Sequence, residues 1–158
     1  FLTIEAVSKH PERKDVEVWQ IGKALDEESE RKAEEWVEKD SRFRWFGGLP
    51  REEALEQLAE SSLTVNSSIS EMGANAILEA MTIGVPVLAS RVEGNEGLLG
   101  EAYPGYFDEG ELENVLEAIV DKRVDLKEWV RLAAQRLPLF SRERESACWL
   151  ELLEDINY

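Results

Sequence analysis

The chain of 158 residues predicts an α/β domain with a mostly parallel sheet. Short apolar runs of strand character alternate with longer amphipathic runs almost throughout. A hydrophobic share of 43% is enough for one core at this length and cramped for two independent ones. The central stretch from Leu63 to Ala89 reads strand, small-residue loop, helix and buried strand without a break.

Phe1 to about Lys9 reads as a helix closed by the turn-like His10-Pro11; Thr3, Ile4 and Val7 leave a strand over Phe1–Val7 as the competing assignment. Strands are predicted at 16–21, 43–46, 63–66 and 85–89, with a short one at 106–107. Helices are predicted near 26–39, 51–60, 74–83 and 111–121. A later helix places Leu126, Trp129, Val130, Ala133, Ala134 and Leu137 on one face, begins at the capping-box-like Asp125-Leu-Lys-Glu128 and ends at Pro138. A last one, from about Arg142 to Ile156, lines up Trp149, Leu152, Leu153 and Ile156. There are no repeats, linkers or low-complexity segments.

Thirty-four acidic against 18 basic residues give a net charge of −16, which repels nucleic-acid backbones and anionic membrane surfaces. Much of that charge sits on solvated helix faces such as Asp26 to Glu35. Cys148 is the single cysteine, so no intrachain disulfide can form; it is expected to pack within the last helix, and a cytoplasmic setting is expected. No apolar run is long enough to span a bilayer, and the first residues lack signal-peptide character. His10, between Lys9 and Pro11, has a turn role and no nucleophile beside it. No metal site or cofactor is expected.

The informative stretch runs from Ser70 to Ser90. Glu71 and Glu79 flank Gly73-Ala74-Asn75, where a helix is predicted to start with nothing bulky in the way. Exposed N–H groups and the positive end of the helix dipole at such a start suit a diphosphate. Glu79 could then accept two hydrogen bonds from the vicinal hydroxyls of a ribose, and Glu71 would face a sugar carried by the diphosphate. An ordinary capped helix presents the same residue types. The flanking strands tip the balance toward a ligand site, because ligands of open α/β sheets gather at the strands' carboxyl ends. Lys23 and Arg91 lie at strand ends, where each could contact a phosphate or sugar, although an exposed charge is the favoured reading.

Four pieces together resemble the C-terminal, donor-binding half of retaining GT-B glycosyltransferases, the glycosyl transferases group 1. They are Val18-Trp-Gln-Ile-Gly22, Phe43-Arg-Trp-Phe-Gly-Gly-Leu49, Leu63-Thr-Val-Asn-Ser-Ser68 with Glu71 to Glu79, and Glu79-Ala-Met-Thr-Ile-Gly-Val-Pro-Val-Leu-Ala-Ser90. The resemblance begins near Val16 and implies a Rossmann-like three-layer domain over residues 1–158, one half of a GT-B fold. It implies that Glu71 acts at the donor sugar, that Met72, Gly73, Ala74 and Asn75 line the diphosphate, that Glu79 holds the ribose, and that Gly47, Gly48 and Leu49 read the base. A narrower likeness, to the selenosugar synthase branch of selenoneine biosynthesis, rests on Val65 to Asn75 and Ala89 to Phe107; Met72 stands where glycine is expected, and Glu96 is unusual.

The activity so implied is hexosyl or N-acetylhexosaminyl transfer from a nucleotide-diphosphate sugar, with a UDP-sugar favoured. The expected partner is an N-terminal acceptor domain of the same polypeptide. Without it, and possibly without a first strand, the fragment should turn over nothing, since acceptor positioning supplies much of the rate. Two alternatives stay open: the donor half of a GT-B sugar-nucleotide isomerase, and a non-catalytic acidic α/β module that recruits a basic partner.

Overall fold

In a computed structural model that describes residues 1–156, the elements run α1 (Leu2–Ser8), β1 (Val18–Ile21), α2 (Glu27–Lys39), β2 (Phe43–Gly47), α3 (Arg51–Glu60), β3 (Thr64–Asn66), α4 (Asn75–Ile83), β4 (Val87–Ser90), α5 (Glu93–Leu99), β5 (Tyr106–Phe107), α6 (Leu112–Val120), α7 (Leu126–Ala134) and α8 (Arg142–Ile156). β1 pairs with β2 and β3 with β4, both parallel, as the α/β class requires. The strands form a two-stranded sheet, β1-β2, and a three-stranded one in the order β3-β4-β5. The chain divides into two compact units, 1–61 with 107–125 and 62–106 with 126–158.

In the first unit Ile4, Trp36 and Phe43 form the core, with Phe1, Val18 and Trp45 packed against it. The opening residues are therefore helical rather than extended: Ile4, Ala6 and Val7 fall on one buried face of α1. Asp26 caps α2 by accepting from the Ser29 N–H at 2.7 Å, and Glu27, Glu28 and Glu30 complement the positive end of the helix. Arg42 is buried, its fork closed on Asp40 at 2.9 and 2.6 Å, while its Nη1 donates to the carbonyls of His10 and Arg13 at 2.9 and 3.1 Å. One guanidinium thus ties the turn after α1 to the start of β2.

The second unit is built on β4, whose Val87, Leu88 and Ala89 are fully enclosed. α4 packs on this strand and buries Ile77, Ala80 and Met81, while Leu98 and Leu99 of α5 and Trp129 and Ala133 of α7 are buried in the same unit. Gly84 ends α4 at φ +90°, the left-handed conformation that a side chain resists. Gly105 leaves no room at all: a Cβ there would sit 2.5 Å from the Val87 carbonyl oxygen.

Three expectations change. The segment 93–99, to which the sequence reading assigns no element, is helical. The helix expected to run on to Pro138 stops at Ala134, and Leu137–Phe140 forms a separate 3₁₀ turn with the proline near its start; Ala134 is exposed. Proline is tolerated in the first turn of a helix, so it opens the short turn instead of closing the long helix. Finally, α8 has the predicted stripe but buries none of it, and Cys148 is exposed rather than packed.

Candidate functional site

Each unit brings a pair of parallel strands to one carboxyl edge. In the second unit the register is Thr64 with Val87, Val65 with Leu88 and Asn66 with Ala89, so β3 and β4 finish together. Residues 67–74 leave that edge and lead into α4. Gly73 takes φ +137° within this loop, a backbone conformation that excludes ordinary side chains. Ala74 is the N-cap residue and among the described residues makes no side-chain cap hydrogen bond at the helix start, whose first residues are Asn75 and Ala76. The predicted junction of small residues and an uncapped helix is therefore formed, one residue later than expected.

Glu71 is half-buried, and its Oε1 accepts from the Ser68 hydroxyl at 2.7 Å. Glu79 is half-buried in the second turn of α4. Gly73 and Asn75 are exposed and Ala74 is buried. Met72 projects fully into solvent at 103% exposure and makes no part of the core. Loop and helix thus bring Glu71, Gly73, Ala74, Asn75 and Glu79 into one short segment at the edge of a parallel pair.

Gly47, Gly48 and Leu49 belong to the first unit. Its two strands also end together, the Gly22 N–H donating to the Gly47 carbonyl at 2.8 Å and the Trp45 indole to the Gly22 carbonyl at 3.0 Å. Gly47 adopts φ +62°. The methylene stem of Lys23 lies across Gly48, where an added Cβ would stand 2.4 Å from Lys23 Cγ. Lys23, read from the sequence as a surface charge, therefore fills the space a side chain would need at the exposed glycine expected to meet a base.

Several residues that hold the loop were not singled out in the sequence. Asn95, with no exposed surface, directs its Nδ2 to the Ser90 carbonyl at 2.9 Å, Asn66 Oδ1 at 3.2 Å and Ser90 Oγ at 3.3 Å. Ser90 in turn donates to the Ser68 carbonyl at 2.5 Å, and the Ser68 N–H reaches Asn66 Oδ1 at 3.3 Å. From behind, the Tyr106 hydroxyl donates toward the carbonyls of Asn95 and Gly100 at 3.2 and 3.1 Å; burial pushes that phenol up to about 12. Arg91 lies over the Tyr106 ring at 4.6 Å and pairs with Glu96 at 3.1 Å. In the sequence this set falls mostly within 89–107, where Arg91 and Glu96 alone stand out.

Parallel strands, crossover helices and a ligand-type junction at the strands' carboxyl ends define an α/β chain of the Rossmann-like kind that forms the C-terminal half of a GT-B fold. Solved structures agree. A GtfA/B complex superposes with a TM-score of 0.74 at 20% identity, covering 98% of this chain and 32% of the other. HepE of Anabaena, in complex with UDP and glucose, matches with a TM-score of 0.72 at 19% identity over 98% of this chain and 44% of its own. WaaG, a glycosyltransferase involved in lipopolysaccharide biosynthesis, gives 0.67 at 27% identity over 86% of this chain and 38% of its own. The chain thus spans less than half the length of each. Residues 1–130 match the family described as Glycosyl transferases group 1, and the chain belongs to that family.

Proposed function

We propose that this chain is the donor-binding half of a glycosyltransferase that takes a nucleotide-diphosphate sugar, with UDP-sugars favoured. The observation that carries this reading is the uncapped, small-residue start of α4 at the carboxyl edge of β3 and β4, bracketed by Glu71 and Glu79. Family membership and the UDP and UDP-glucose held by the Anabaena protein support it.

In this reading the backbone N–H groups of residues 73–75 receive the diphosphate. Breaking the anomeric C–O bond loads negative charge onto that leaving group, and fixed N–H dipoles act best on charge that grows in the transition state. Glu79 accepts from the ribose hydroxyls and Glu71 stands beside the donor sugar. A second domain, carrying the acceptor, completes the enzyme, and the setting is cytoplasmic. The narrower likeness to selenosugar synthases favours a UDP-sugar and a selenium nucleophile as acceptor.

The test is calorimetric titration of the chain with UDP and with 2′,3′-dideoxy-UDP, which lacks both hydroxyls. Glu79→Gln should weaken UDP about tenfold, the loss of one charge-assisted pair, and leave the dideoxy analogue within about twofold. Equal weakening of both nucleotides would remove the ribose role from Glu79.

A further inference from the structure

We propose that Gly94 and Asn95, at the start of α5, are positioning residues that set where Glu71 stands, and through it how well the donor sugar is held. The inference rests on the reading above for the sugar and on geometry alone for the placement.

Two independent contacts converge on the loop. The first is steric. A Cβ built on Gly94 would lie 2.1 Å from the Glu71 carbonyl oxygen, 2.5 Å from its carbonyl carbon and 3.0 Å from its Cβ. Backbone atoms cannot swing aside as a flexible side chain can, so any residue other than glycine must push the loop at Glu71 away from α5. The second is polar. Asn95 spends its amide hydrogens on the ends of both strands, at Ser90 and Asn66, and these two residues in turn hold Ser68 by its carbonyl and its N–H. Ser68 then grips the Glu71 carboxylate.

The unused end of the same side chain is instructive. Asn95 Oδ1 is buried and has no hydrogen-bond partner among the described residues. The hydrogen bonds of this side chain to the strand ends all come from its donor end, Nδ2. The Tyr106 hydroxyl, bound to the Asn95 carbonyl, fixes α5 from the other side. The line from Tyr106 through Asn95, Ser90 and Ser68 to Glu71 is thus continuous and lies wholly within one compact unit.

The chain carrying Gly94→Ala, Asn95→Ala or Glu71→Gln would be titrated with UDP and with UDP-glucose, and the ligand-free amide shifts of Ser68 and Glu71 would be recorded. Displacing a contact residue by an ångström or so weakens a well-oriented interaction markedly. Gly94→Ala is therefore expected to lower UDP-glucose affinity about tenfold, to leave UDP within about twofold, and to move both amide signals before any ligand is added. Asn95→Ala should do the same; if it does not fold, Gly94→Ala decides alone. Unmoved shifts at 68 and 71 in Gly94→Ala overturn the positioning role. So does a Gly94→Ala preference for UDP-glucose that stays intact while Glu71→Gln abolishes it. If Glu71→Gln itself leaves that preference intact, the sugar role of Glu71 fails, and the shifts still decide whether Gly94 places it.

Discussion

A single buried guanidinium does more for the first unit than any of its surface ion pairs. Most of the latter are exposed, such as Arg31 with Glu35 and Arg44 with Glu17, and such pairs contribute little. Arg42 differs, because it is buried, bidentate on Asp40 and also donates to two backbone carbonyls. Arg42→Ala leaves a carboxylate and two carbonyls without their donor, and a loss of about 3 kcal/mol is expected by urea denaturation at neutral pH. The Arg42 hydrogen bonds hold the Asp40 carboxyl below its ordinary value of 3.8. A group whose folded pKa is depressed contributes stability above its unfolded value and loses it as pH falls through the folded one. The stability difference between wild type and Asp40→Asn should therefore be full at pH 6 and shrink below about pH 4. A difference that stays constant down to pH 2 would show that Asp40 contributes by shape and not by charge.

At the level of elements, periodicity reported what repeats and was silent on what each face meets. The boundaries of α3, α8 and β5 match the sequence reading because a clean apolar period or an aromatic pair marks them. α5 could not be read, since Glu93-Gly-Asn-Glu-Gly97 holds two glycines, each about 1 kcal/mol worse than alanine in a helix. Tertiary contacts hold it instead: Leu98 and Leu99 are buried, and Tyr106 reaches the Asn95 carbonyl. The same separation explains the site. The loop and helix start at 70–79 could be read from local composition, whereas Gly94 meets Glu71 across 23 positions and only the fold joins them. α8 is the converse case. Its stripe of Trp149, Leu152, Leu153 and Ile156 is half-exposed or more, and no residue of the helix is buried. Leu152→Ser with Leu153→Ser is thus expected to change stability by less than about 1 kcal/mol, while Leu98→Ala costs about 3 kcal/mol. Urea unfolding of the two variants checks the contrast, and a large loss from the α8 pair would mean that its stripe is covered in this chain.

For the molecule as a whole, the net charge of −16 bears directly on how a diphosphate could be held. A site that binds phosphate through lysine and arginine side chains weakens as salt rises, because ions compete for the pairing charges. Where backbone N–H groups bind the anion inside a strongly acidic chain, the dominant long-range effect is repulsion, and salt relieves it. The screening length falls from about 30 Å at 0.01 M to about 8 Å at 0.15 M, so distant carboxylates are silenced while hydrogen bonds at contact distance persist. UDP affinity, measured by calorimetry across that range in potassium chloride, is therefore expected to rise a few-fold. Uridine carries no phosphate and serves as the control, its affinity unchanged by the same salt. The two mechanisms predict opposite slopes, so the sign alone discriminates between them. UDP affinity that falls steadily with salt would transfer the phosphate-binding role from the start of α4 to cationic side chains, with Lys23 and Arg91 the first to be substituted.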